Sequence, residues 1–319
     1  MVRFPRPGRR PVVDPRGARR YDAEAHAIRA RHVEFRWDGV PLHYIPGEVM
    51  ATHVINVMHL VLPEGERAMA KALSEALPLI DDPRLHEEVT GFIGQEAVHA
   101  SSHEGAREHL ASLGLDVGPM VRAMEWLTDR VLGPAGLTGR AGHAWLCERL
   151  ALFAAMEHYT AVVGEWLLDA EVLERAGMHP TMLDLVRWHG AEEVEHRNVA
   201  FDAFQYVDGS YARRVRSAVL ASALLAGLVV AAAGYLHRAD PSPDKGRFWP
   251  LRLFDAARRG MIPPATLFLT EIPRYLRPGF HPSQLGDMDK AVRYLARSPA
   301  AADAGQRRDD GTEASCDPQ

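Results

Sequence analysis

WHGAEEVEH, residues 188–196, sets two histidines and three glutamates into nine positions. On a helix turning about 100° per residue, His189, Glu193 and His196 fall on one narrow stripe. Glu192 lies at its edge, where it can support a neighbour, and Glu195 lies on the far side, where it reads as a solvated surface group. The stripe predicts three groups converging on a common point.

A second stretch, GFIGQEAVHASSHE at residues 91–104, repeats the glutamate-to-histidine step with Glu96 and His99, and His103 follows one turn later on the same face. One such step arises readily by chance, so the weight rests on its pairing with His189-x-x-x-Glu193-x-x-His196 on another helix. A dinuclear iron or manganese site in a four-helix bundle takes Glu-x-x-His from two helices and a single glutamate from each of the other two. LPEGERAM (62–69) offers Glu66, and MEHYTA (156–161) offers Glu157. Both carboxylates sit in apolar surroundings, where an unpartnered charge is unfavourable by several kcal/mol. Oxygen donors with a few imidazoles suit iron, with manganese as the other candidate. Thr160, beside Glu157, is a candidate hydrogen-bond donor to the site. His103 and Glu192 are candidates for contacting the ligands rather than the metal. His53 and His59 read as structural or surface groups.

Outward from these motifs the chain reads as all-α. Between about 45 and 240 it is rich in Ala, Leu, Glu and Arg, with apolar spacings of three and four. Expected helices cover 64–78 (opened by Pro63), 83–113, 119–132, 140–176 and 180–207. The run 217–236, SAVLASALLAGLVVAAAGYL, carries no charge and follows three arginines. It fits either a membrane contact or a buried helix closing the bundle. The expected organisation is an N-terminal extension over 1–44, a metal-binding bundle over 45–210, an apolar helical part of the same domain over 211–298, and a disordered tail over 299–319.

Composition narrows the function classes. The chain has 319 residues, 47 % of them hydrophobic, and a net charge of -5, which gives a sizeable core and no signature for nucleic acid. Its two cysteines, Cys147 and Cys316, provide neither a disulfide framework nor a thiolate metal site, and no secretory leader pattern opens the sequence. A cytoplasmic protein is expected, with 217–236 open to membrane association as the alternative to burial. His-Glu-x-x-His, Gly-x-Ser-x-Gly and dinucleotide-binding glycine patterns are absent, which disfavours zinc protease, esterase and Rossmann readings.

Together LPEGERAM, GFIGQEAVHASSH, MEHYTA and WHGAEEVEHRNVAFD, with PGFHP near 280, resemble a bacterial ferritin-like family labelled predicted metal-dependent hydrolase; the likeness spans about residues 35–285. The order of ligand motifs is also similar to that of diiron arylamine N-oxygenases. The resemblance implies a ferritin-like four-helix bundle with extra apolar C-terminal helices and two iron ions held by Glu66, Glu96, His99, Glu157, His189, Glu193 and His196. His189 is the addition that distinguishes this pattern from simpler ferritin-like proteins. The implied activity is O2-dependent oxidation or oxygenation of a small, hydrophobic or amine-bearing substrate, with an external electron donor. A dinuclear metal-dependent hydrolase is the alternative, followed by a non-catalytic iron-binding protein. A homodimer is compatible with either enzyme.

Overall fold

Asp82 and Pro83 start a helix as their residue types dictate. The Asp82 carboxylate accepts from the Arg84 and Leu85 N–H groups, both at 3.0 Å, and Pro83 occupies the first position, where no N–H is required. In this computed structural model, which describes residues 28–242 and 248–309, every regular element among the described residues is helical. The helix begun by Pro83, α2 (Pro83–Ser112), lies antiparallel to α1 (Val49–Ala76). The pairs His59–His103, Glu64–Arg107 and Arg67–Glu104 join the two.

α1 starts much earlier than expected. Pro63 does not open it but sits inside it, where its ring withholds the N–H that would otherwise reach the His59 carbonyl. Burial outweighs that loss, since Ile55, Val57, Leu60, Val61 and Leu73 all lie in the core.

After α3 (Gly118–Trp126) and a wide turn over Leu127–Val131, α4 (Gly139–Asp169) runs antiparallel to α6 (Pro180–His196). Thr160 meets Glu193 and Glu157 meets His196 across this pair. α4 ends at 169 rather than 176. Arg187 of α6 donates to the Leu167 and Ala170 carbonyls at 3.3 and 3.4 Å, satisfying acceptors that a helix end leaves open, and the short α5 (Glu171–Arg175) follows. Likewise the helix expected to reach 207 breaks after His196, and α7 (Val199–Val207) continues beyond a turn.

α8 (Tyr211–Ala239) packs on α1 and α4. By length and composition it is the one described helix able to cross a membrane, with a mean hydropathy of 2.2 and only 28 % of its apolar span buried. The expected alternative, a fully buried helix, is therefore only half met: Ala218, Ala221, Ala232 and Ala233 face the core, whereas Val219, Leu220 and Val230 are exposed.

The remaining helices, α9 (Trp249–Arg258), α10 (Ala265–Tyr275), α11 (Met288–Leu295) and α12 (Pro299–Asp309), lie over the outside. Residues 299–309, expected to be a disordered tail, instead form α12, and its Ala300 N–H bonds the buried Asp184 carboxylate at 3.0 Å. The rest of that tail, and residues 1–27 of the expected extension, lie outside the described residues. PGFHP anchors to the end of α6 and to α7: the Pro282 carbonyl accepts from Arg197 at 3.2 Å and His281 meets Asp202 at 2.8 Å.

The segment 28–48 crosses α2 at Gly91, where a Cβ would lie 2.2 Å from the Ile28 carbonyl oxygen, so only glycine allows the approach. That crossing carries Arg31 to α6, where it bonds Glu192 and Glu195.

Candidate metal centre

Four helices aim potential ligands at one buried volume. α1 contributes Glu66, α2 Glu96 and His99, α4 Glu157, and α6 His189, Glu193 and His196; all seven are buried. Two overlapping groups have the spacing to hold a metal ion, Glu66–His99–His189–Glu193 and Glu96–His99–Glu193–His196. Glu157 adjoins the second, its Oε1 lying 3.2 Å from His196 Nε2. Glu193 faces both groups with different oxygens: Oε1 is 2.9 Å from His189 Nε2, and Oε2 is 3.6 Å from His196 Nε2. It is the one carboxylate common to both groups and would be shared by two ions if both were bound. His99 presents one inward atom, Nδ1, 3.7 Å from Glu96 and 3.6 Å from Glu193.

Most of the inward atoms face one another without a well-formed hydrogen bond. Both oxygens of Glu66 and of Glu96, Glu157 Oε1, His99 Nδ1, His189 Nε2 and His196 Nε2 are buried without a hydrogen bond. Each such atom is unfavourable by about 1–3 kcal/mol, so a cluster of them fits a site completed by metal ions. The donor types agree, being carboxylate oxygens and imidazole nitrogens without a thiolate.

The outward atoms of the three imidazoles are all engaged. His99 Nε2 lies 2.9 Å from Glu192, His196 Nδ1 lies 3.1 Å from Gln95 Oε1, and His189 Nδ1 lies 2.8 Å from His103 Nε2. Such partners fix the tautomer and ring orientation of a metal ligand. Beyond His103, the His59 and His103 Nδ1 atoms lie 2.7 Å apart. With His189 Nε2 given to a metal, His189 Nδ1–H donates to His103 and His103 Nδ1–H donates to His59, so one proton arrangement runs through three rings. Thr160 donates to Glu193, and a Glu157 carboxylate oxygen lies 3.4 Å from the same hydroxyl.

Burial sets the electrostatics. It raises Glu66, Glu96 and Glu157 well above the ordinary carboxylate range, and the Glu193 charge adds to the effect. Glu193 itself is driven well down: burial opposes this, but His189 and His196 overcome it. His99 and His103 are pushed well below the usual imidazole range, first by burial and then by His189. Neutral imidazoles and crowded carboxylates are what a pair of divalent cations would balance.

Each of the seven predicted ligands reaches the cluster, and Thr160, His103 and Glu192 lie against ligands. Glu195 corrects the sequence reading. It is not a solvated surface group but buried, accepting from Gln95 at 2.8 Å and from Arg31 at 2.8 and 2.9 Å. Arg31 also bonds Glu192 at 2.7 Å, so one guanidinium holds both carboxylates that steady the His99 and His196 rings. Sequence reasoning missed Arg31 and Gln95. Gln95 could have been found as the neighbour of Glu96, while nothing in the sequence ties Arg31 to α6. Of the two readings of His59, structural or surface, burial behind His103 selects the first.

A surface depression lined by Arg274, Arg277, Phe280, Gln284 and Leu285 includes none of the candidate ligands.

A family model described as predicted metal-dependent hydrolase matches residues 29–286. Neither curated proteins nor solved structures give a match.

Proposed function

Since the chain belongs to this family of predicted metal-dependent hydrolases, we propose that it is an enzyme whose buried cluster binds two metal ions and acts on a small molecule by hydrolysis. The observation that carries the reading is the convergence of unpartnered carboxylate and imidazole atoms from four helices. Glu66, His99, His189 and Glu193 would hold one ion, and Glu96, Glu157, His196 and Glu193 the other. Bound there, the pair would supply Lewis acidity and a water acidified to near neutral pH.

The protein's own part is positioning. Glu192, Gln95 and His103 orient the three imidazoles, and Arg31 neutralises the carboxylates behind them. Thr160 steadies the bridging Glu193. Trp188, edge-on to His99 at 5.1 Å, and Phe92, 4.5 Å from His196, keep water from the rear of the site.

A second reading, O2-dependent oxidation with iron and an external electron donor, is favoured by the composition of the ligand set. Four carboxylates and three imidazoles suit iron or manganese, and the motif order resembles diiron arylamine N-oxygenases. One experiment separates the two. Purified protein is analysed for metal, reduced without air and exposed to O2. Redox-silent metal with turnover of ester, amide or phosphoester probes supports hydrolysis, and an iron-loaded protein that consumes O2 after reduction supports oxidation. Protein binding fewer than two ions per chain under saturating iron, manganese and zinc overturns both.

A further inference from the structure

A second set of potential ligands converges at the end of α8, apart from the seven-residue cluster. His43 Nε2 and His53 Nε2 both face Asp240 Oδ2, at 2.8 and 3.0 Å, and the three residues have the spacing to hold a metal ion. They come from separate places: His43 from the segment before α1, His53 from within α1, and Asp240 from the C-terminal boundary of α8. We infer that His43, His53 and Asp240 form a mononuclear site for a divalent transition ion of the zinc class, distinct from the dinuclear centre and independent of the reaction proposed for it.

Donor chemistry and spacing support this. Zinc takes imidazole nitrogen and carboxylate oxygen at about 2.0–2.1 Å, which places neighbouring ligand atoms about 3.3 Å apart in a tetrahedron. The observed separations need to open by only a few tenths of an ångström. His53 and Asp240 are buried, whereas His43 retains 23 % of its side-chain exposure. Solvent therefore reaches one side, giving an ion an entry route and a water for its fourth position.

The charges suit a cation. Burial holds His53 neutral, down to about 4, against the pull of Asp240. Asp240 stays ionised: burial opposes this, but the Ser242 N–H at 2.8 Å and the two imidazoles outweigh it. The carbonyl end of the long α8 also favours a cation at this point.

The surroundings accommodate the tautomer that metal binding requires. Asn56 Nδ2 lies 3.5 Å from His53 Nδ1, and the Tyr44 hydroxyl lies 2.8 Å from Asn56 Oδ1 and 3.2 Å from the Thr52 carbonyl. Turning the Asn56 amide over lets its oxygen face a His53 Nδ1–H while its NH2 donates to the Tyr44 hydroxyl, which then donates to Thr52. His53 Nε2 is thereby left as a lone pair directed at the site. His237 stands edge-on to His53, with ring centroids 6.4 Å apart, and closes the inner side.

The test is equilibrium dialysis of the full chain against Zn2+, comparing the unsubstituted protein with His43→Gln and Asp240→Asn, each checked for folding by circular dichroism. The dinuclear ligands are unchanged in all three, so the difference in bound ion isolates this site. The expected result is one more ion per chain in the unsubstituted protein than in either variant. Co2+ should add tetrahedral d–d absorption that His43→Gln lacks, read without any assay of activity. Equal ion counts in the unsubstituted protein and a folded His43→Gln variant, or Co2+ spectra that do not differ, overturn the inference.

Discussion

Gly164 of α4 and Gly190 of α6 cross backbone on backbone: a Cβ on Gly190 would lie 2.8 Å from the Gly164 Cα, and one on Gly164 would lie 2.6 Å from the Gly190 carbonyl oxygen. The contact falls next to Thr160 and Glu193 and one residue after His189. Close approach of the two backbones is what allows Glu157 and Glu193 to share one site. Gly190→Ala is expected to destabilise the protein by about 1–3 kcal/mol, as overpacking does. It should also weaken metal binding, because α4 and α6 must separate. Urea unfolding and metal titration on the same variant check both effects, and unchanged values in either would refute the stated coupling.

Arg31→Ala leaves Glu192 and Glu195 buried without their cation. Breaking a buried pair in this way is destabilising by about 3–5 kcal/mol, and loss of a partner behind a ligand weakens metal affinity by about 10–100-fold. Arg31→Lys should recover only part of the loss, since an ammonium cannot reproduce the forked contact with two carboxylates. Denaturant titration and competitive chelation measure the two quantities.

Glu66→Gln separates a ligand from a structural residue. Both Glu66 oxygens are buried without a partner, so replacing the carboxylate should raise metal-free stability by about 1–2 kcal/mol. The same variant should bind one ion instead of two. A residue that only supported the fold would move both readings down together.

Cys147 gives a pH dependence away from the metal. Burial, reinforced by Asp208, pushes its thiol from 9.0 up to about 11. The folded protein thus retains a proton that the unfolded chain releases, so this contribution to stability is complete below pH 9 and is lost as pH rises towards 11. At pH 8 only about one thiol in a thousand is ionised. In a Cys316→Ser background, alkylation should be slow at pH 8 in native protein and fast in urea. Rapid labelling of the folded chain would contradict the burial of Cys147.

How far the site could be read depended on which side of a helix the rest of the chain covers. Glu96, His99, Glu193 and His196 were legible because three-residue steps project them together, and Glu66 and Glu157 because single carboxylates in apolar turns call for partners. Glu195 was misread because a helical wheel assigns its far side to solvent. Segment 28–48 covers that side of α6, and no local pattern announces the cover. Pro63 was misread for a related reason: α1 is sustained through it by tertiary burial, which a rule about helix starts does not contain.

Arg31 meets Glu192 and Glu195 across 161 and 164 positions of sequence. During synthesis the guanidinium emerges early and waits for most of the bundle before its partners leave the ribosome. The contacts behind His99 and His196 therefore cannot be complete until α6 has been made. The groups behind the candidate ligands are thus tied together from distant parts of the described chain, so no fragment that lacks either part holds them complete.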